Sequence, residues 1–105
     1  MRTLAVVMEE PRRLVVNEVS LIPPAASDVV VDVLWSGIST GTEKLLWSGA
    51  MPPFPGLSYP LVPGYETAGV VREAGPQSGL RVGQHVFVPG SRGFAAVSGL
   101  FGGAA

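Results

Sequence analysis

Proline and glycine divide this chain into short segments. The sequence contains 14 glycines and 10 prolines among 105 residues, and they separate short runs that are rich in valine and other apolar residues. Turn signals that recur roughly every 8–12 residues are typical of small β-barrels and sandwiches. We therefore predict a mainly β domain with at most one short helix.

The first half of the chain contains the clearest strand patterns. Thr3–Met8 and Leu14–Val19 flank a turn centred on Pro11 and predict a β-hairpin. Asp28–Ser36 is the strongest strand candidate, because its residues alternate between two distinct faces. One of these faces carries Val29, Val31, Val33 and Trp35. We predict that this face is buried and that Trp35 belongs to the core.

The second half predicts three further strands, Tyr65–Ala74, Gln84–Val88 and Phe94–Val97. Gly69 interrupts the first of them and indicates a bulge or a close approach of two backbones.

The segment between the two halves, Gly37–Glu66, differs from this pattern. Thr40–Glu43 has the spacing of a helix capping box, and Gly49 occupies the position of a left-handed residue that ends a helix. The loop that follows, from Ala50 to Gly64, is rich in proline and long for a compact domain. Such loops are usually functional or covered, so we expect the chemistry of this chain to lie here.

Composition excludes several classes of function. A net charge of −1 gives no basic surface for nucleic acid or for an anionic membrane. The absence of cysteine excludes disulfides and thiolate metal sites within the chain. No apolar run approaches the ~18 residues of a membrane span, and the first residues lack a signal-peptide pattern, so we predict a cytoplasmic protein without membrane insertion.

Three motifs occur in a recognisable order: SGIS at residues 36–39, PGYETAGVV at residues 63–71 and VGQHVF at residues 82–87. Together they resemble the N-terminal, GroES-like domain of the medium-chain dehydrogenase/reductase superfamily, over Thr3 to about Val97. The resemblance implies a partly open β-barrel with one short helix. It also implies that residues 1–105 form one domain of a longer two-domain enzyme, whose dinucleotide-binding Rossmann domain is absent from this chain.

Further stretches, GISTGTEKLLWSG, MPPFPG and YPLVPGYE, resemble the branch of this superfamily that acts in bacteriochlorophyll biosynthesis. That branch oxidises the 1-hydroxyethyl side chain of a (bacterio)chlorophyllide to acetyl with NAD. The resemblance therefore implies a small-molecule tetrapyrrole as substrate and NAD as cofactor, bound mainly by the missing domain. A homo-oligomer, if one forms, would assemble through the full-length protein.

Zinc ligands are replaced at both superfamily positions in this domain, where Ser39 stands for cysteine and Tyr65 for histidine. Zinc favours thiolate, imidazole and carboxylate ligands, so we predict no metal. A metal-free alcohol oxidation needs hydrogen-bonding groups and a proton acceptor. The resemblance makes Tyr65, Thr42, Ser39 and Glu66 the catalytic candidates.

Substrate contacts are predicted at Thr40 and in the loop, where Trp47, Met51, Phe54 and Tyr59 could form a flat apolar wall for a tetrapyrrole. Each candidate also has a structural interpretation. The loop side chains could pack onto the barrel, Tyr65 could be core, and Glu66 could pair with an arginine. Thr40 and Glu43 could simply cap a helix, with Thr42 an alternative cap. His85, the only histidine, lies at a variable position and is a weak candidate for a base.

Two alternative functions remain open at this point. One is a zinc-free NADPH-dependent quinone or enone reductase, which would use the same domain. The other is a stand-alone GroES-like co-chaperonin or assembly module, which agrees with the length and the predicted fold.

Overall fold

The computed structural model of the chain describes residues 1–91 and 93–99. Its elements in chain order are β1 (Arg2–Glu10), β2 (Arg13–Ser20), β3 (Val29–Gly37), α1 (Thr40–Ser48), β4 (Glu66–Ala74) and β5 (His85–Val88). β1 and β2 form a two-stranded antiparallel sheet, and β3, β4 and β5 form a three-stranded antiparallel sheet in that order. The prediction of a mainly β fold with one short helix is confirmed. Across the described residues the two sheets form an open arrangement rather than a closed ring.

The N-terminal hairpin follows the predicted pattern. Its register places Val7 opposite Val15, and Arg12 in the turn has a positive φ of 67°. Along β1 the side chains alternate, with Ala5 and Val7 buried and Leu4 exposed. This alternation turns one face of the hairpin towards the core.

Residues near the C-terminal end of the long loop join the hairpin to the rest of the domain. Leu61 and Met8 exchange two backbone hydrogen bonds, of 2.8 and 3.0 Å, although Leu61 lies outside the named strands. Their side chains and that of Leu46, which is fully buried on α1, form one apolar cluster. A second cluster consists of Ala5, Val7, Val19 and Val62. The helix is therefore held against the hairpin by packing.

The three-stranded sheet contains two irregularities, and one of them faces Gly69. The register of β3 against β4 shifts between Val33 and Trp35, opposite Gly69 and Ala68. A Cβ atom on Gly69 would overlap the carbonyl oxygen of Asp32 and lie 2.7 Å from Val31 Cγ1. The predicted close backbone approach at Gly69 is thus confirmed.

The prediction that Trp35 belongs to the core is wrong, because its side chain is 77% exposed. The extra residue at the bulge, Leu34, interrupts the alternation, so Trp35 does not follow Val33 to the inner face. The strand register instead aligns Trp35, Ala68 and Phe87 across β3, β4 and β5, and all three are exposed. They form an exposed apolar row on the outer face of the sheet.

The predicted strand Phe94–Val97 is also wrong. Phe94 makes a single bridge with Leu21, Ser98 makes a single bridge with Leu61, and the residues between them bend. Phe94 and Val97 pack against the cluster around Val62. These apolar side chains pack in the core, and the segment between the two bridges forms no continuous ladder of backbone hydrogen bonds.

No helix in the described part of the chain has both the length and the apolar character that crossing a membrane requires.

Candidate functional site

The candidate site forms where β3 leads into α1 and where β4 begins. Gly37 and Glu66 are the last aligned pair of β3 and β4. The chain continues from this pair to Ser39 on one side and arrives from Tyr65 on the other. Residues that are far apart in sequence therefore meet at the N-terminus of the helix.

The predicted capping box is wrong by one residue. The N-cap is Ser39, with φ −82° and ψ 94°, and its side chain makes no capping hydrogen bond. Its carbonyl oxygen accepts the first helical bond from the Glu43 N–H, at 2.9 Å. Thr40 is an exposed first-turn residue. At the other end, Gly49 is left-handed as predicted, with φ 76°.

Three hydroxyl groups come together at this point, and they form what we call the hydroxyl cluster: Ser39, Thr42 and Tyr65. Tyr65 Oη donates to Ser39 Oγ at 2.7 Å, and Thr42 Oγ1 lies 3.4 Å from Tyr65 Oη. Ser39 and Thr42 are three residues apart, which places them on the same side of the first helical turn. All three side chains are half-buried. The structure thus brings together three of the four predicted catalytic residues in direct contact.

Glu66, the fourth, lies at the edge of the cluster. Its residue is exposed, and its carboxylate covers Gly37 so closely that a Cβ there would lie 2.6 Å from Glu66 Oε2. The salt bridges in the described part of the chain do not include Glu66, so the arginine pairing considered as its alternative role is not observed. Its carboxylate is available at the surface end of the site.

Glu43 is the site residue that the sequence analysis missed, because it was assigned only to a helix cap. Burial raises the pKa of its carboxyl group, the backbone N–H groups of Glu43 and Ser39 act in the opposite direction, and the charge of Glu66 raises it further. Glu43 Oε2 is inaccessible to solvent and has no hydrogen-bond partner among the described residues. The sequence signal that could have pointed to Glu43 was its position four residues after Ser39.

The loop residues predicted as a substrate wall have different environments. Met51 and Tyr59 pack against the cluster of Met8, Leu46 and Leu61, and Tyr59 Oη donates to the Leu46 carbonyl oxygen. Phe54 is half-buried, and Trp47 is 39% exposed on the helix. Packing onto the hairpin is therefore observed for Met51 and Tyr59, and a role of this loop in binding substrate stays a prediction.

Other candidate features lie away from the hydroxyl cluster. His85 is exposed on β5 and aligns with Val70, four residues along β4 from Glu66. A cavity of about 640 Å³ is lined by residues of the C-terminal segment and by Gly56, and it includes none of the predicted site residues. The lining residues are Gly56, Pro89, Gly90, Ser91, Gly93, Phe94, Ser98 and Gly99.

The donor set at the site does not fit zinc. Ser39 and Tyr65 offer two neutral hydroxyls that are hydrogen-bonded to each other, whereas zinc sites use thiolate, imidazole or carboxylate ligands. In the part of the chain that the structure covers, no group of three or more histidine, cysteine, aspartate or glutamate side chains is placed to hold a metal ion. We therefore derive no chemical step through zinc.

Comparison with known proteins identifies related sequences. Residues 25–104 match the alcohol dehydrogenase GroES-like domain. The chain is 56% identical over 109 residues to 2-desacetyl-2-hydroxyethyl bacteriochlorophyllide A dehydrogenase of Cereibacter sphaeroides, covering 99% of the chain and 34% of that protein. It is 53% identical to the protein of the same name from Rhodobacter capsulatus, covering 99% of the chain and 33% of that protein.

A more distant relative is S-(hydroxymethyl)glutathione dehydrogenase of Paracoccus denitrificans, at 42% identity over 82% of the chain and 22% of that protein. The chain thus spans about a third of the length of the bacteriochlorophyllide dehydrogenases that it matches.

Proposed function

Because the chain belongs to the alcohol dehydrogenase GroES-like domain family, we propose that it is the substrate-facing domain of a longer NAD-dependent dehydrogenase. The proposed reaction is oxidation of the 1-hydroxyethyl side chain of a bacteriochlorophyllide to acetyl. The two relatives above 50% identity, both named for that type of substrate, support this proposal. The proposed domain organisation is one GroES-like domain, residues 1–105, followed by a dinucleotide-binding domain.

The observation that carries the proposal is the hydroxyl cluster. An alcohol oxidation removes a hydride from carbon and a proton from oxygen, and the released proton needs an acceptor. Tyr65 Oη already donates to Ser39 Oγ at 2.7 Å. A substrate hydroxyl that donates to Tyr65 would extend this arrangement, so that each oxygen passes on one proton as it receives another.

The residues of the cluster have separate roles in this proposal. Tyr65 receives the proton of the alcohol as its own proton passes to Ser39, and Ser39 releases its hydroxyl proton to solvent. Thr42, 3.4 Å from Tyr65 Oη, orients the phenol. Thr40 is exposed beside the cluster and is proposed to contact substrate. Ser39, Thr42 and Tyr65 are partly buried, which limits competition from water and strengthens these hydrogen bonds.

NAD supplies the hydride acceptor when bound, and we propose that the dinucleotide-binding domain holds most of it. The tetrapyrrole is proposed to lie over Trp47 on α1 and over the loop residues Met51, Phe54 and Tyr59. Their apolar and aromatic groups suit a flat conjugated ring. A cytoplasmic location is part of the proposal, in agreement with a reaction that uses a soluble dinucleotide.

The test is a Tyr65→Phe variant of the full-length protein that contains this chain. We expect turnover of a hydroxyethyl bacteriochlorophyllide with NAD to fall about 10²-fold, the usual scale of an acid–base contribution. Ser48→Ala is the control, because it removes a hydroxyl from the same helix that donates only to the Leu45 carbonyl oxygen. Turnover at the unmodified rate in Tyr65→Phe would remove Tyr65 from the mechanism. Stoichiometric zinc in the active protein would contradict the metal-free site.

A further inference from the structure

The outer face of the three-stranded sheet carries the exposed apolar row of Trp35, Ala68 and Phe87. Trp35 is 77% exposed and Phe87 is 66% exposed, so the described part of the chain leaves both aromatic side chains open. Neighbouring strands lie about 4.8 Å apart, which sets these two residues roughly 10 Å apart on either side of Ala68. The small side chain of Ala68 leaves a shallow apolar channel between two aromatic walls.

The position of Trp35 on this face results from the bulge at Leu34. Regular strand alternation would turn Trp35 to the inner face together with Val33. The bulge instead aligns Trp35 with Phe87 across the sheet, so that two large aromatic residues share one exposed row. Single exposed apolar residues are ordinary on protein surfaces, whereas contiguous apolar surface with a polar rim marks an interaction site.

Polar residues border the exposed apolar row on two sides. Glu66 is exposed two residues before Ala68 on β4, and strand alternation places both on the same face. On the opposite side, Arg72 and Asp32 form an exposed ion pair of 3.3 Å, and His85 is exposed on β5. An apolar centre with a polar rim is the usual anatomy of an interface. Because Glu66 also lies at the edge of the hydroxyl cluster, a partner seated on the row would border the candidate site.

The size of the exposed apolar row favours a partner from the same chain. Aromatic side chains bury roughly 150–250 Å² each, so the row offers on the order of 300–400 Å² of apolar surface. A stable dimer of separate chains buries about 800 Å² on each partner, which is more than the row supplies. A covalently linked segment needs less area, because the linkage keeps its local concentration high.

We propose that a segment of the full-length protein that follows residue 105 packs on the exposed apolar row and inserts apolar side chains into the channel over Ala68. The inference rests on the proposed function, because it needs the longer chain of the proposed dehydrogenase. The bacteriochlorophyllide dehydrogenases that match this chain are about three times as long, so a protein of that length has ample chain to cover the face. The covering segment would then lie beside Glu66, at the border of the candidate site.

Hydroxyl-radical footprinting of the full-length protein, read by mass spectrometry, measures whether the row is covered. Trp47 on α1 is the internal reference, because its indole ring has the same intrinsic reactivity as that of Trp35. On an open face Trp35 would react about twofold faster than Trp47, in proportion to their exposures of 77% and 39%. We expect Trp35 to react at least about threefold more slowly than Trp47, since the centre of an interface packs as densely as a protein interior. This protection should not depend on protein concentration.

A double variant of the full-length protein, Trp35→Thr with Phe87→Thr, gives a second measurement. Threonine removes both aromatic walls and keeps a residue type that favours strands. We expect the unfolding temperature to fall by about 5 °C or more, because covered apolar surface is lost. Val82→Thr is the control, since Val82 is 68% exposed in the turn before β5; it should change the unfolding temperature by less than about 2 °C.

The outcomes separate this inference from the proposed function. Faster reaction of Trp35 than of Trp47, or a double variant as stable as Val82→Thr, would overturn the proposed packing while leaving the dehydrogenase reaction intact. Protection of Trp35 that appears only at high protein concentration would assign the face to a second copy of the protein and also overturn it. A covered row in a full-length protein that oxidises no hydroxyethyl pigment would instead contradict the proposed function.

Discussion

Gly69→Ala is the substitution with the most direct structural consequence. The new methyl group would overlap the Asp32 carbonyl oxygen and lie 2.7 Å from Val31 Cγ1, where ordinary contacts begin at 3.4 Å. The Val31 side chain can rotate, but the Asp32 oxygen belongs to the backbone of the neighbouring strand. Because that oxygen lies even closer than Val31 Cγ1, β3 and β4 must move apart at the bulge by more than the roughly 0.7 Å that would restore an ordinary contact with Val31.

The loss of folding stability in Gly69→Ala follows from this displacement of the two strands. Overpacking in a well-packed interior costs about 1–3 kcal/mol, and weakening one backbone hydrogen bond adds about 1 kcal/mol. We expect the free energy of unfolding to fall by about 2–4 kcal/mol, a large part of the ~5–15 kcal/mol of a small domain. Because β3 and β4 also align Gly37 with Glu66, the hydroxyl cluster should be disturbed as well.

Urea denaturation followed by far-ultraviolet circular dichroism measures this change. Gly41→Ala is the matched control: a Cβ at Gly41 meets no atom within 4 Å, and the residue is helical. Alanine in that position should stabilise the chain by about 0.5–1 kcal/mol. Gly69→Ala within about 0.5 kcal/mol of the unmodified chain would refute the close approach of the two strands.

Three further predictions concern packing and ionisation. Leu46→Ala should destabilise the chain by about 2–5 kcal/mol in the same assay, because Leu46 is fully buried between helix and hairpin; a loss below ~1 kcal/mol would contradict that packing. Trp35→Ala should cost less than about 1 kcal/mol, since the side chain is 77% exposed, whereas a core tryptophan would cost about 3–5 kcal/mol. The raised pKa of Glu43 predicts that the folded state binds more protons than the unfolded state, so stability falls as pH rises from the ordinary value of 4.5 through the raised one. Urea midpoints measured across this pH range should decline less in Glu43→Gln, and parallel curves would argue against a raised pKa.

Local patterns were sufficient for most of the secondary structure. The hairpin, the end of the helix at Gly49 and the close approach at Gly69 followed from turn residues, left-handed glycine and strand alternation, which depend on neighbours in sequence. Phe94–Val97 was misassigned as a strand because a short apolar run can either pair with a strand or bend and pack its side chains into the core. The position of Val62, against which Phe94 and Val97 pack, decided between these.

The sequence predicted which residues form the site but did not predict how they are arranged. The motifs and the resemblance identified Ser39, Thr42, Tyr65 and Glu66, and the structure places the first three within hydrogen-bonding distance. They could not identify Glu43, since a glutamate in a first helical turn has the same pattern whether it caps or faces a second carboxylate.

The sequence by itself determined the fold class, the glycine-dependent turns, the absence of thiolate and histidine zinc ligands at two positions, and the family. Each of these depends on residue type or on spacing along the chain. Tertiary structure decided the exposure of Trp35, the direction of the Tyr65–Ser39 hydrogen bond and the environment of Glu43. These features depend on strand register and on groups brought together from distant positions. A one-residue bulge moves the side chains that follow it to the opposite face of the sheet, and burial shifts the pKa of a carboxyl group.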